Sequence, residues 1–230
     1  MGCAVCETRF AVCGGKTKAG NACTKRAEPI LFVLYSWQKN NMQNNRVTGI
    51  ILAGGKSNRF GTDKTRFIYR EKPLIEWVKE ALVPVCCECV VGTGSPDRLG
   101  IEGLRNIPDR YENCGPLGGI FSCLEASRYA DNLVAACDLP GLHPDLFRFL
   151  LQNSEGYQAV VPVHYGRVEP LVCYLHQSVL GVLEKQLQCG RYKLQDAFPL
   201  LRTRFPRVEG EAFYSSRLFA NINTLSDAAL

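Results

Sequence analysis

The sequence predicts an α/β domain built as three layers, a Rossmann-like, mostly parallel sheet with helices on its faces. Three observations predict it. From Val47 onward short β-rich runs alternate with helical ones, the rhythm of a sheet with crossover helices. The strand-like run Val47 to Ala53 ends in Gly54-Gly55, as a buried strand turning into a ligand loop would. Finally, 230 residues with 46% hydrophobic and 21% charged content suffice for one such core and fall short of two.

Taken in order, residues 1–46 stand apart. They hold Cys3, Cys6, Cys13 and Cys23 with Gly14, Gly15 and Gly20, and show little apolar period before Ile30. They also hold seven Lys and Arg against two acids, while the remaining 184 residues carry 20 basic and 20 acidic side chains. The formal charge of +5 therefore belongs to this leader, and the rest has no electrostatic footprint for nucleic acid or a membrane surface. Its longest apolar run, Ile30 to Trp37, is far below the roughly 20 residues that span a bilayer. Met1 to Cys6 lacks the pattern of a secretory signal, and Gly2-Cys3 lacks the Ser or Thr of an acylation site, so the expected location is the cytoplasm. Cys13 to Cys23 resembles half of a zinc knuckle, but only one close cysteine pair is present. The polar stretch from Asn40 to Asn45 marks a boundary, Met42 offers an alternative start, and the leader is expected to be poorly structured or dispensable.

Residues 47–230 read as a single domain without internal repeats. After the first strand, Leu74, Val78, Leu82 and Val85 have helical spacing over 74–85. Further strands are expected at Glu88 to Val91, Leu104 to Ile107, Leu133 to Cys137, Gln158 to Pro162 and Pro170 to Tyr174. Helices are expected at 117–128, 144–152 and 177–188.

The loop Leu52-Ala53-Gly54-Gly55-Lys56-Ser57-Asn58-Arg59-Phe60-Gly61-Thr62-Asp63-Lys64 follows the first strand. Glycines there let backbone N–H groups approach phosphate oxygens, and Arg59 and Lys64 add fixed positive charge. It is neither a Walker loop nor a dinucleotide fingerprint, whose glycine spacings it lacks. Downstream, Asn106-Ile107-Pro108-Asp109 ends a strand and Gly115-Pro116-Leu117-Gly118-Gly119 opens a helix, with Pro116 suited to its first position. Asp138, in Ala136-Cys137-Asp138-Leu139-Pro140, emerges from the end of an apolar strand, where a carboxylate suits Mg²⁺.

Leu52 to Lys64 resembles the signature of the nucleotidyltransferases, and Gly54 makes it most similar to their molybdenum cofactor guanylyltransferase branch. Gly115 to Gly119, Cys137 to Pro140, Arg167-Val168-Glu169-Pro170-Leu171, Cys189-Gly190-Arg191 and Asn221-Ile222-Asn223-Thr224 resemble further segments of that family in the same order, from about Val47 to Asp227. The resemblance implies a fold of the nucleotide-diphospho-sugar transferase type. It also implies transfer of GMP from GTP to molybdopterin-bound molybdenum cofactor, giving the dinucleotide and pyrophosphate. Arg59, Lys64 and Asp138 would then be catalytic, with Asp138 holding Mg²⁺. Leu52, Ala53, Gly54, Gly55, Lys64, Asp109, Pro116, Leu117, Gly118 and Asp138 would bind nucleotide. Arg167, Pro170, Arg191, Asn221 and Asn223 would lie toward the acceptor. Cofactor-synthesis proteins or molybdoenzymes would be transient partners. The chain departs from the family at Val91-Gly92-Thr93-Gly94, where relatives often carry Asn. Alternatives are a transferase using CTP or a sugar phosphate, and a nucleotide-binding regulatory module without turnover.

Cys86, Cys87 and Cys89 fall at a helix-to-strand transition with no second zinc-type pair nearby, and read as small core hydrophobes. Cys114, Cys123, Cys137, Cys173 and Cys189 are scattered and read as reduced thiols. His143, His164 and His176 form no cluster and are expected on the surface or at caps.

Overall fold

The computed structural model describes residues 46–54, 67–94 and 103–222. The leader reading, except at Arg46, and the sites expected at Gly55, Arg59, Lys64 and Asn223 lie outside them.

Strand β1 (Val47–Leu52) is buried along its whole length. A small hairpin, β2 (Ile68–Tyr69) and β3 (Lys72–Pro73), leads into helix α1 (Leu74–Leu82), which buries Leu74, Ile75, Val78, Ala81 and Leu82 on one face. Strands β4 (Glu88–Gly94) and β5 (Arg105–Pro108) follow, then α2 (Gly115–Ala126), β6 (Asp131–Ala136) and α3 (Pro144–Gln152). Next come β7 (Ala159–Val160), the hairpin of β8 (Val163–His164) and β9 (Arg167–Val168), and β10 (Val172–His176). Helix α4 (Leu180–Gln188) and β11 (Thr203–Arg204) complete the set.

Helix starts follow local chemistry. The His143 ring accepts from the Asp145 N–H, and Pro144 takes the first helical position of α3. His176 caps a 3-10 turn, Gln177–Val179, which tightens the first turn of the helix expected over 177–188. Two of the three histidines are thus caps, as the sequence suggests.

The main sheet has seven strands in the order β11-β7-β10-β6-β1-β4-β5. Strand β1 pairs in parallel with β4 on one side and β6 on the other, and β5 continues in parallel beyond β4. Strand β10 runs antiparallel to β6 and β7, so the sheet is mixed but mostly parallel. One face packs α1 and α3 through Val47, Ile51, Val78, Leu82, Leu133, Leu146 and Phe147. The other packs α2 and α4 through Ile50, Leu52, Ile120, Leu124, Val134, Leu183 and Leu187. Alternate residues of β1 feed opposite cores, which makes it the centre of a three-layer sandwich.

This strand order places a topological switch beside β1, because the chain moves outward through β4 and β5 and then returns to β6 on β1's other side. Open α/β sheets bind ligands at such a point, beyond the carboxyl ends of the strands. Among the described residues, no helix is long and apolar enough to cross a membrane.

Candidate active site

The strand ends at the switch are knitted by backbone hydrogen bonds. The Ala53 N–H donates to Gly92 O at 2.9 Å and the Cys137 N–H to Leu52 O at 3.1 Å, so the ends of β1, β4 and β6 lie side by side. The Asp109 N–H donates to Gly94 O at 3.4 Å and brings in the end of β5. Glycine permits the close approach at β4, since a Cβ on Gly54 would stand 3.4 Å from the Gly94 backbone. A Cβ on Gly92 would stand 3.1 Å from Cys123 Sγ, so helix α2 packs closely against this face of β4.

Helix α2 starts over these strand ends. It has no side-chain cap and no acidic residue in its first turn, and Pro116 lies in its opening turn. Its first N–H groups and the positive end of its dipole are therefore available to an anion. Gly118 and Gly119 let the Asp109 carboxylate lie against the helix: Cβ atoms there would come within 3.4 Å and 3.3 Å of its oxygens. The Arg110 N–H donates to Ser122 Oγ, and Ser122 Oγ donates to Gly118 O, which clamps the 109–111 loop to α2. Within this clamp Asp109 Oδ1 is buried without a hydrogen-bond donor. Burial is the main reason its pKa is pushed up to about 6, against the lowering effect of a backbone hydrogen bond.

Asp138 is half-buried just past the end of β6, and its carbonyl accepts from the Ile222 N–H at 3.0 Å. That bond brings Asn221 to the mouth of the site. The Ala136 N–H donates to Leu171 O at 3.0 Å, which brings Pro170-Leu171 beside the same strand end. Gly141 sustains this junction, since a Cβ there would fall 2.1 Å from Arg217 O.

The geometry thus gathers Leu52, Ala53, Gly54, Asp109, Pro116, Gly118, Asp138, Pro170 and Asn221 around one sheet edge. The Leu117 side chain is fully buried in the core, which leaves its backbone to face a ligand. Arg167 is exposed in the β8–β9 hairpin. Arg191 is exposed after α4, next to Tyr192, whose phenol is raised in pKa by the neighbouring Cys114 at the entry to α2. Sequence reasoning missed Gly141, which stands directly after the Ala136 to Pro140 motif it singled out.

Two readings are corrected. Cys87 is exposed and so is no core residue, while Cys86 and Cys89 are half-buried against the core and Cys114, Cys123, Cys137 and Cys173 are buried. His164 is neither a surface residue nor a cap. Its Nε2 lies 2.8 Å from Glu169 Oε1, and its ring packs 4.8 Å from that of Phe219.

Fold and site together define a nucleotidyltransferase of the nucleotide-diphospho-sugar transferase type. Residues 49–202 match the MobA-like NTP transferase domain. The probable molybdenum cofactor guanylyltransferase of Pelotomaculum thermopropionicum is 34% identical over 184 residues, covering 79% of this chain and 90% of that protein. Its namesake in Halalkalibacterium halodurans is 37% identical over 190 residues, covering 78% and 94%. Among solved structures, the molybdopterin-guanine dinucleotide biosynthesis protein A of Archaeoglobus fulgidus superposes with a TM-score of 0.67 at 27% identity, covering 79% of this chain and 95% of that one. This chain belongs to the MobA-like NTP transferase family.

Proposed function

We propose that the chain is a molybdenum cofactor guanylyltransferase that transfers GMP from GTP to molybdopterin-bound molybdenum cofactor, releasing pyrophosphate. The observation that carries this reading is the convergence of the β1, β5 and β6 ends on the uncapped start of α2, with Asp109 Oδ1 buried there without a donor. A buried carboxylate oxygen lacking a donor complements the N–H or O–H groups of a nucleoside, and the nearby amides complement its phosphates. The names of the relatives support guanine as the base and the pterin as acceptor.

In the proposed reaction an oxygen of the pterin's terminal phosphate attacks the α-phosphorus of GTP. The bond to the bridging oxygen breaks, and pyrophosphate leaves with its electron pair. The attacking phosphate is already ionised, so no protein base is required, and catalysis rests on positioning and charge neutralisation. Arg59, Lys64 and the Gly54-Gly55 amides would neutralise the pyrophosphate. Arg167, Pro170, Arg191, Asn221 and Asn223 would receive the acceptor.

The donor set fits Mg²⁺. Asp138 supplies a hard oxygen at a strand end, and the described residues contain no group of three or more potential ligands, so the other ligands would be phosphates and water. When bound, the ion supplies charge neutralisation at phosphoryl oxygens. Cys86, Cys89, Cys114, Cys123, Cys173 and Cys189 are thiols without a disulfide, which suits a cytoplasmic enzyme, and molybdoenzymes would receive its product.

Calorimetry with the four nucleoside triphosphates and Mg²⁺ tests the base, and pyrophosphate release with GTP and the molybdenum pterin tests turnover. Tightest binding of CTP would favour the cytidylyl alternative, and GTP binding without release would favour a regulatory module. Asp138→Ala and Lys64→Ala are each expected to lower turnover at least about 100-fold. Near-normal turnover in either variant would remove that residue from the mechanism.

A further inference from the structure

Cys86 and Cys89 form a Cys-x-x-Cys pair at the other end of the β1–β4 ladder from the nucleotide site. The Cys86 N–H donates to Leu82 O as the chain leaves α1, and Cys89 lies in β4 in register with Gly49 of β1. Both sulfurs converge on the side of Gly49 that lacks a side chain: a Cβ there would stand 3.0 Å from Cys89 Sγ and 3.1 Å from Cys86 Sγ. A glycine inside a strand is unfavourable unless something approaches closely, and here two thiols do.

The two thiols are also chemically unequal. Cys89 is pushed down in pKa chiefly by a hydrogen bond from Cys86, with help from the charge of Lys79, while burial and neighbouring charge from Glu88 oppose this. The same hydrogen bond is the first cause that pushes Cys86 up. A low-pKa thiol beside a second thiol within reach is the arrangement of a reactive and a resolving cysteine. Both are half-buried, so a small oxidant can reach them.

We propose that Cys86 and Cys89 are a reversible redox-modification site that a hydroperoxide converts to a disulfide and a small thiol restores. The Cys89 thiolate attacks a peroxide oxygen, the O–O bond breaks, and the departing oxygen leaves as water after taking up a proton. The resulting sulfenic acid is attacked by the Cys86 sulfur: the S–S bond forms, the S–O bond breaks, and a second water carries away the Cys86 proton. Two thiols supply two electrons, so hydrogen peroxide balances the step. Reduction reverses it by thiol–disulfide exchange.

The test uses the reduced full chain treated with hydrogen peroxide, alkylated, digested and examined by mass spectrometry. The peptide containing residues 86–89 is expected to lose two alkylatable thiols and two hydrogens while Cys87 remains alkylatable, and dithiothreitol is expected to restore both thiols. Cys89 is expected to react at least about tenfold faster than exposed Cys189. In Cys86→Ser a sulfenic acid at Cys89 is expected to be trapped by dimedone, which a purely packing role would not produce. Full alkylation of Cys86 and Cys89 in the wild-type chain at a peroxide dose that oxidises Cys189 would overturn the proposal. So would a disulfide joining Cys87 to either neighbour.

Discussion

At the scale of single residues, Asp109 sets stability against binding. Its pKa, raised by burial from 3.8 to about 6, means that the folded chain holds this proton more tightly than the unfolded one. The group's stabilising contribution is therefore fully present below the unfolded pKa and is lost as pH rises through about 6. Above that pH its ionised form costs on the order of 2 kcal/mol, after discounting for its partial exposure. Asp109→Asn should remove the pH dependence, raising Tm by a few degrees at pH 8 with no gain at pH 4, as measured by calorimetry of the free protein. If the buried oxygen accepts from the nucleoside, the same variant should weaken GTP binding about tenfold or more. A variant with wild-type stability at pH 8 and wild-type GTP affinity would show that Asp109 is neither strained nor engaged. The family resemblance marks Asp109 as a nucleotide position, but its lack of a donor depends on Gly118, Gly119 and Ser122 packing around it, which no local pattern encodes.

At the scale of elements, the contact between the 138–141 loop and the 217–222 segment assembles the side proposed for the acceptor. Gly141 sits directly against Arg217 O, and an added Cβ at 2.1 Å would have to push that segment away from Asp138. Gly141→Ala should destabilise the chain by about 1–3 kcal/mol in urea unfolding. It should also lower turnover at least about tenfold by misplacing Asn221, with GTP affinity changed much less. Gly181→Ala is the contrasting variant, because nothing lies within 4 Å of its added Cβ in α4. It should stabilise by about 0.5 kcal/mol through helix propensity. Equal effects of the two substitutions would separate the Gly141 contact from function. The long periodic elements β1, α1, β4, β6 and α3 are legible in the sequence because a buried face repeats along each. The hairpins β2–β3 and β8–β9 are not, since their strands have two residues each. Their turns use Arg70-Glu71 and Tyr165-Gly166, all at positive φ without the usual Asn-Gly. Apolar period also carries no direction, so it does not show β10 to be antiparallel.

At the scale of the whole molecule, both cores close within the domain that begins at β1. Every residue of the two buried clusters among the described residues lies between Val47 and Leu218, and β1 is covered by strands on both sides and helices on both faces. The positions proposed for nucleotide and acceptor all lie downstream of the leader in sequence, from Leu52 to Asn223. Among the described residues no core position lies upstream of Val47, and removal of the leader leaves a chain close to charge balance. We expect a chain beginning at Met42 to fold with a Tm within about 2 °C of the full protein, since every described core residue is retained in it. Its turnover with GTP and the molybdenum pterin should agree within about twofold, because the positioning groups are retained. Differential scanning calorimetry and pyrophosphate release on the two chains measure both quantities, and metal analysis of each adds a separate reading. Unfolding or loss of turnover in the shorter chain would give the leader a structural or catalytic part. Zinc bound in stoichiometric amounts only by the longer chain would make the leader a metal site, since such binding adds stability to whatever fold it holds.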